Sequence, residues 1–406
     1  MLHHCYELRE LPQGMGKLVN LRHLGIKYTS SLKFLPQGIG SMRSLRSLTK
    51  FIVGGGCDIG DLKNLNLHQR ELEIEKLERV TNKDEAMEAE LKNDEYLRHL
   101  RLSFEWNDSF ETSEVERIEG VLEGLEPHGN LNELTIKSYI GSKFPRWMMN
   151  GTFLFNLRIL IVDQCNCVQL PFLESLEILI RNRMPKVKRV GSEFLGIDSS
   201  DGVDMSISKL EILRFDTMDN LEEWDLNMKD VMPRLKDLFV HNCQKLKRIP
   251  ALRNLEFLET LGISGIGGEL LGISNGKDGG ESIPTVVFPR LKKLYFMDLN
   301  EWEVWEMTTK KEITIMPYLV ELEFYDCSKL KTLPECIMCS STIRELTIWN
   351  YPKLWTLEKL PASSTLKILS MSCEDCVTLP QGLTQLKSLE KLSIYNSNCH
   401  APKSTF

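Results

Sequence analysis

The sequence predicts an α/β solenoid that is built around a parallel β-sheet, and three observations carry this prediction. A six-residue pattern, L-x-x-L-x-apolar with an apolar first residue, occurs fifteen times along the 406 residues. Its fourth and sixth residues point to one face of a short strand, and the residues between them point to the other. The pattern also returns at the intervals of a structural repeat that contributes one strand per unit. Only Gln69 at a first position and Lys50 at a sixth position break it.

The central leucines of the pattern define the repeat. Most steps between successive central leucines are 23 to 28 residues, within the roughly 20–29 residues of leucine-rich repeats. The step from Leu160 to Leu176, 16 residues, is shorter than a full repeat turn. We therefore expect a leucine-rich-repeat solenoid, a curved horseshoe with a concave parallel β-sheet and about fifteen irregular repeats, as a single domain over residues 1–406. The central leucines are Leu24, Leu48, Leu72, Leu100, Leu134, Leu160, Leu176, Leu213, Leu238, Leu261, Leu294, Leu322, Leu346, Leu369 and Leu392.

Composition indicates a chain without membrane spans. No run approaches the ~18 uncharged apolar residues of a membrane-spanning helix, and the first ten residues lack the apolar core of a signal peptide. Eleven cysteines, an odd number, then favour reduced thiols. We therefore expect the protein in the cytoplasm, with the nucleus as an alternative.

The net charge of −7 is confined to one acidic segment, residues 103–126, which holds eight carboxylates against a single base, Arg117. The remainder of the chain is balanced, so charge gives no reason to expect nucleic acid as a partner. Two interpretations of the segment stay open: a solvated loop and helix, or a docking surface for a basic partner. The candidate protein-binding residues of the second are Glu111, Glu114, Glu116 and Glu119.

A second candidate surface consists of side chains that the strand register directs away from the core. Trp349 follows the sixth-position residue Ile348, so its side chain should project to the open, concave face. Aromatic side chains suit a protein-binding face because they bring a large apolar area at low entropy cost, although isolated exposed aromatics are also common. The same register places Trp224, Trp302 and Trp305 in the core. The candidate concave-face residues are Phe239, His241, Tyr295, Met297, Tyr325, Trp349 and Tyr395.

The cysteines are predicted to be structural where they follow the repeat. Those at the turn position, three residues after the sixth position of a hexamer, are Cys5, Cys165, Cys243 and Cys327. The pairs Cys336–Cys339 and Cys373–Cys376 have the C-x-x-C form of zinc ligands. However, the 33 residues between the pairs exceed the usual zinc-ribbon gap, and the pairs belong to repeats two steps apart. We therefore expect no metal site.

Sequence motifs for catalysis and nucleotide binding are not found. The glycine-rich run 55–60 is followed by Asp61, where a phosphate loop requires lysine, and the glycines at 265–268 open no dinucleotide-binding unit. The best polar grouping is His241 with Asp216 and Asp326, which matches no catalytic motif. We predict that the chain is not an enzyme and holds no cofactor.

Seven segments carry a family resemblance: LVNLRHL (18–24), SLRSLTKFIVG (44–54), EGVLEGLEPHGNLNELTI (119–136), GSKFPRWM (141–148), VKRVGSEFLG (187–196), FPRLKKL (288–294) and CSKLKTLP (327–334). They resemble the leucine-rich-repeat region of plant disease-resistance proteins of the coiled-coil, nucleotide-binding type. The run from Glu119 to Met148 is the most specific part, because generic leucine-rich repeats lack it. The turns also read x-x-L-P, as at Leu333-Pro334, and not the L-x-G-x-I-P of plant extracellular receptors.

The resemblance implies a role in intracellular plant immunity. In that family the repeats help to recognise a pathogen effector, directly or through a guarded host protein, and they hold the nucleotide-binding module inactive. The implied partners are proteins: that module, an effector or a guarded host protein. ADP or ATP would be held by the nucleotide-binding module, whose phosphate loop this sequence lacks. The alternative is a stand-alone leucine-rich-repeat adaptor or decoy protein.

Overall fold

The computed structural model describes residues 2–65, 67–106, 110–149, 153–171, 173–195, 207–226, 228–250, 252, 255–267, 286–305, 313–331, 333–334, 337, 340–350, 365–373 and 381–396. The chain forms two compact units. The first consists of residues 1–187 and 192–203, and the second of residues 188–191 and 204–406. A single domain over residues 1–406 stays a prediction.

The first unit is built from short parallel strands that alternate with turns and short helices. Strands β3 to β8 form one parallel sheet in chain order, while β1 and β2 pair with each other. Its strands are β1 (His23–Leu24), β2 (Ser47–Leu48), β3 (Lys50–Ile52), β4 (Glu71–Glu75), β5 (His99–Ser103), β6 (Glu133–Lys137), β7 (Ile159–Asp163) and β8 (Ile178–Asn182). Its α-helices are α1 (Lys83–Met87), α2 (Thr112–Gly124) and α3 (Arg146–Met149). Its 3-10 helices are Gln13–Lys17, Ile39–Ser41, Ile59–Asn64, Leu77–Arg79, Leu91–Asn93 and Glu193–Leu195.

The second unit repeats this organisation. Its strands are β9 (Arg189–Val190), β10 (Ile212–Asp216), β11 (Glu223–Trp224), β12 (Asp237–His241), β13 (Thr260–Ser264), β14 (Val286–Val287), β15 (Lys293–Met297), β16 (Thr314–Ile315), β17 (Glu321–Tyr325), β18 (Glu345–Trp349), β19 (Ile368–Cys373) and β20 (Lys391–Asn396). Strands β10, β12, β13, β15, β17, β18, β19 and β20 lie side by side in a parallel sheet. The two-residue strands form separate pairs, β9 with β11 and β14 with β16. The helices are α4 (Met228–Val231) and the 3-10 turn Gln381–Gln385.

The leucine pattern accounts for the packing of both sheets. In most repeat strands the central leucine and the sixth-position residue are buried, and in strands such as β5 and β10 the residues on either side of them are more exposed. In β20 the two residues, Leu392 and Ile394, are exposed. Along most of the strand pairs a central leucine also pairs with the central leucine of the next strand, for example Leu294 with Leu322. Fourteen of the fifteen predicted central leucines lie in repeat strands, so the predicted strand positions are confirmed there.

The prediction for the seventh repeat is wrong by three residues. Strand β8 is centred on Leu179, which pairs with Leu160, while Leu176 occupies the first position of the true hexamer. The step is therefore 19 residues and not 16. The sixth position of this hexamer is Arg181, which is fully buried. Arg181 is charged and breaks the apolar rule at the sixth position, whereas the predicted hexamer, which ends on Ile178, satisfies it.

Both exceptions to the pattern belong to one irregularity at β2 and β3. Leu48 pairs with Leu24, yet Phe51 pairs with Ile74, so one extra residue separates the two registers. Phe51 takes the buried sixth position in place of Lys50, whose ammonium lies 2.8 Å from a Glu75 carboxylate oxygen. The Gln69 side-chain amide accepts from the Leu48 N–H at 2.6 Å and donates to its carbonyl at 2.8 Å. The glutamine thus satisfies backbone groups at the interruption.

Most repeat strands are followed directly by a residue with left-handed backbone conformation, two positions after the sixth. Its φ is near +50° to +60°, as at Asn242, Asp326 and Asn350. The N–H of this residue bonds the next strand, for instance from Asp326 to the Trp349 carbonyl at 3.0 Å. Asn and Asp tolerate this conformation better than most side chains. The turn at the end of the strand therefore depends on backbone geometry that the leucine pattern does not encode.

Candidate protein-binding surfaces

The seven candidate concave-face residues all lie on the open face of the second unit. Phe239 and Tyr295 directly follow a central leucine, and the other five stand three residues after one. Both positions are directed away from the buried leucines because side chains alternate along a strand. The predicted placement is therefore observed, and the binding role of these residues stays a prediction.

Four of these residues form a continuous row, which we call the aromatic row: Met297, Tyr325, Trp349 and Tyr395. Met297 pairs with Tyr325, and Tyr325 pairs with Trp349, so three neighbouring strands carry large side chains at the same level. The rings of Trp349 and Tyr395 then approach to 5.1 Å between centroids across the small Ser372 of β19. Tyr325 and Trp349 are only 7% and 5% exposed, whereas Tyr395 is 39% exposed. Tyr325 and Trp349 are therefore largely buried, and Tyr395 is the accessible end of the row.

A second cluster surrounds Phe239. The Arg214 guanidinium lies 4.7 Å from the centre of the Phe239 ring, and the His241 ring stacks with that ring at 5.9 Å between centroids. The phenyl ring extends over Gly262, where a Cβ would stand 2.6 Å from a ring carbon, so only glycine allows this position. Burial lowers the pKa of His241, and Arg214 lowers it further, while Asp216 opposes them.

The polar grouping considered for catalysis is not brought together. Asp216 pairs with His241 across β10 and β12. Asp326 instead follows β17, three strands away from β12 in the sheet. The described residues thus bring only two of the three side chains to one place.

Acidic side chains next to the aromatic row were not anticipated from the sequence. Glu321 and Glu345 pair with each other on β17 and β18, and Glu323 lies between Tyr295 and Thr347. Lys293 pairs with Glu321 at 2.8 Å. Glu321 and Glu345 occupy the third positions of their hexamers and Glu323 a fifth position, and both positions face the open side. We call Tyr295, Glu321, Glu323, Tyr325, Glu345 and Trp349 the acidic–aromatic face.

Several carboxyl groups lie close together on this face, and their proximity determines its electrostatics. Burial raises the pKa of Glu323 to about 7, and the neighbouring Glu321 and Glu345 contribute, although a hydrogen bond with Tyr325 acts in the opposite direction. Burial also raises the pKa of Tyr325, together with Glu323. The hydrogen bond to Glu321 raises the pKa of Lys293. Glu323 is thus the carboxyl of this group that changes charge near neutral pH.

The raised pKa of Glu323 predicts a specific pH dependence of stability. The folded chain keeps a proton on Glu323 between pH 4.5 and about 7, whereas the unfolded chain has lost it. The free energy of unfolding contributed by this group therefore falls as pH rises through that interval. We expect Glu323→Gln to be more stable than wild type at pH 8 and equal to it at pH 4, as measured by urea unfolding. The same change at the exposed Glu174 should alter neither value, and a Glu323→Gln variant that loses stability at pH 8 would contradict the assignment.

The acidic segment divides into solvent-facing and internally bonded carboxylates. Glu111 and Glu116 are exposed, and Glu114 lies 3.7 Å from Arg117 on the same helix. Glu119 instead accepts hydrogen bonds from the backbone N–H and the hydroxyl of Ser142, both at 2.8 Å. Its carboxylate therefore fixes the loop that precedes α3. The docking role of all four glutamates stays a prediction.

Comparisons with known proteins agree with this architecture. Residues 59–184 match the family model described as R13L1/DRL21 LRRs, and residues 197–351 match leucine-rich repeats described as plant disease resistance protein RPS2-like. Disease resistance protein RGA2 of Solanum bulbocastanum is 31% identical over 235 residues, which is 52% of this chain and 22% of RGA2. RGA4, a disease resistance relative from the same species, is 31% identical over 289 residues, 68% of this chain and 28% of RGA4.

The chain belongs to the leucine-rich-repeat regions of plant disease-resistance proteins. It spans about a quarter of the length of these two relatives. A solved structure, that of a TLR13–ssRNA13 complex, matches over 95% of this chain and 56% of that chain with a TM-score of 0.50 and 16% identity. At that identity the likeness supports the leucine-rich-repeat fold alone.

In this leucine-rich-repeat region, three of the four turn cysteines are buried, as a structural role requires. The thiols of Cys165, Cys243 and Cys327 donate to the carbonyl two residues earlier at 3.3–3.5 Å. Burial raises the pKa of each of these thiols to about 12, so they stay protonated. Cys5 makes a similar but longer contact and is exposed.

The remaining sequence predictions concern tryptophans, metals and membranes. Trp224 and Trp305 are buried as predicted, while Trp302 is half-buried against Phe296. The C-x-x-C side chains lie outside the described residues. In the described ranges, no group of three or more His, Cys, Asp or Glu could hold a metal ion. None of the helices that the structure describes is long and apolar enough to cross a membrane.

Proposed function

We propose that this leucine-rich-repeat region is the protein-binding part of an intracellular plant immune receptor, which recognises a pathogen effector or a guarded host protein. The observation that supports this proposal best is the row of Met297, Tyr325, Trp349 and Tyr395 on one open sheet face. Large, rigid side chains that support one another act as anchors in protein interfaces. We place the protein in the cytoplasm, with the nucleus as the alternative.

The second part of the proposal is autoinhibition through α2. Glu116 is exposed on this helix, Glu111 is exposed directly before it, and Glu114 is partly exposed beside Arg117. Such carboxylates suit a basic surface on a nucleotide-binding module, and contacts of this kind weaken as salt screens them. ADP or ATP would be bound by that module and not by this chain.

The test is co-purification of the full chain with nucleotide-binding modules of disease-resistance proteins. In one variant Glu111, Glu114 and Glu116 become Lys, and Glu119 is kept because it fixes the Ser142 loop. We expect wild type to bind in low salt and this variant to lose at least tenfold in affinity, about 1.4 kcal/mol or more. The control reverses three exposed glutamates elsewhere, Glu7, Glu10 and Glu174, and should retain binding.

The outcomes separate the proposal from its alternative. Equal loss in the control would show that only net charge matters, which contradicts docking through α2. Absence of binding to any module, in a chain that still captures an effector or host protein, would favour the stand-alone adaptor or decoy.

A further inference from the structure

The acidic–aromatic face has more negative charge than its own residues neutralise. Lys293 is the base on the open side of β15, β17 and β18, and it is bonded to Glu321. Among the described residues, no lysine or arginine lies within ion-pair distance of Glu323 or Glu345. Asp298 and Asp326, which follow β15 and β17, add further negative charge, and burial together with Asp326 raises the pKa of Asp298. The sheet face therefore favours a cationic occupant.

Besides its carboxylates, this face carries aromatic residues that can also attract a cation. Tyr325 and Trp349 lie side by side at the carboxyl-terminal ends of the same strands that carry Glu323 and Glu345. Rings of this kind attract lysine and, more strongly, arginine side chains through the face of the π-system. Carboxylates bind the planar guanidinium by charge-assisted hydrogen bonds. The two chemistries together match arginine better than lysine, and both exclude an acidic segment.

We propose that the acidic–aromatic face recognises a basic, arginine-containing segment of the partner protein. A guanidinium would pair with Glu323 and Glu345, while the aromatic row receives its neighbouring side chains. This inference rests on the proposed function for its biological meaning, because it specifies the chemistry of the partner that the open face binds. It does not involve the carboxylates of α2, which belong to the other unit.

Binding of a cation should be coupled to the ionisation of Glu323. The groups that surround its carboxyl are Lys293 and Tyr295 on β15, Glu321 and Tyr325 on β17, and Glu345 on β18. A bound guanidinium favours the charged carboxylate, so binding releases the proton that Glu323 holds near neutral pH. Affinity for a basic segment should therefore rise between pH 6 and pH 8.

The experiment measures the binding of fluorescein-labelled octa-arginine, octa-lysine and octa-glutamate peptides to the full chain by fluorescence anisotropy at about 0.15 M salt. We expect octa-arginine to bind more tightly than octa-lysine, and octa-glutamate not to bind. The double variant Glu323→Gln with Glu345→Gln should weaken octa-arginine binding about tenfold or more and abolish the rise between pH 6 and pH 8. The matched control, Glu7→Gln with Glu10→Gln, replaces two exposed glutamates of the other unit and should change neither the affinity nor its rise with pH.

Three results would overturn the inference: equal losses in the two double variants, unchanged binding by the Glu323 and Glu345 variant, or equal binding of octa-glutamate. Because glutamine replaces glutamate nearly isosterically, circular dichroism should report the same fold for every variant. Failure here is distinguishable from failure of the proposed function. If a captured partner depends on the aromatic row while octa-arginine does not bind, only the basic character of the partner is wrong.

Discussion

Replacing Arg181 by methionine is expected to stabilise the chain. Arg181 occupies the sixth position of β8, where the other hexamers of the described sheets carry apolar side chains, and it is fully buried. Its Nε, Nη1 and Nη2 atoms have no hydrogen-bond partner. The Phe194 ring, 4.9 Å from the guanidinium carbon, is its notable favourable contact. Burial consequently lowers the pKa of Arg181 to about 10.

The size of the effect follows from desolvation. A buried charge without hydrogen-bond partners costs several kcal/mol, and apolar replacements of buried ionic groups stabilise proteins by about 1–4 kcal/mol. Methionine keeps the unbranched shape of the arginine stem and removes the charge. We therefore expect Arg181→Met to raise the free energy of unfolding by about 1–4 kcal/mol, seen in urea as a higher midpoint with an unchanged slope.

The control for this prediction is Arg183→Met, two residues further along the chain. Arg183 is exposed and donates to both carboxylate oxygens of Asp163, at 3.0 and 2.8 Å. Its loss should lower stability, because it leaves the largely buried Asp163 carboxylate without its guanidinium partner. A lower midpoint for Arg181→Met would mean that the guanidinium contributes more through the Phe194 ring than its burial costs.

Replacing Phe296 by alanine is expected to cause the largest loss of stability. Phe296 is the sixth-position residue of β15 and is fully buried. Its ring contacts those of Trp302, Trp305 and Phe324, with centroids 4.8, 5.2 and 5.5 Å away. Removing a buried phenylalanine side chain typically costs about 3–5 kcal/mol, since the cavity forfeits contacts on every side. Urea unfolding followed by tryptophan fluorescence should report a loss in this range.

Two further variants test whether the cluster is responsible. Phe296→Leu fills most of the space and should lose clearly less stability than Phe296→Ala. Phe155→Ala removes the same atoms from a ring that is 62% exposed and should change stability by about 0.5 kcal/mol or less. A Phe296→Ala variant as stable as Phe155→Ala would show that the aromatic cluster adds nothing beyond the leucine core.

The repeat pattern predicted most of the fold because the residues within each hexamer are enough to determine which of its side chains are buried. Alternation along a strand places the central leucine and the sixth residue on one face whatever the rest of the chain does. The same local rule placed Trp224 and Trp305 in the core and Trp349 on the open side. It failed at β8, because Arg181 violates the apolar rule and is tolerated only through a ring, Phe194, that lies thirteen residues away in the chain.

On the open face, alternation along the strand predicts the direction of the side chains but not their contacts. The sequence predicted which side chains leave the core, yet it could not state which of them touch. Trp349 and Tyr395 meet because the intervening strand offers the small Ser372, and the Phe239 ring spreads over Gly262. Likewise, Glu119 was assigned to a docking surface on charge alone, whereas the fold brings it to Ser142. Contacts of this kind depend on the register between strands and on the size of neighbouring residues.

The sequence by itself determined the repeat, the direction of the side chains and the structural role of the turn cysteines, since all three follow from periodicity within a few residues. Only the tertiary structure decided the frame of β8, the crowding that raises the pKa of Glu323, and the left-handed residues that end the strands. The physical reason is that burial, electrostatic neighbours and backbone turns are set by adjacent repeats, which are some twenty to thirty residues apart in the chain and about 4.8 Å apart in the sheet.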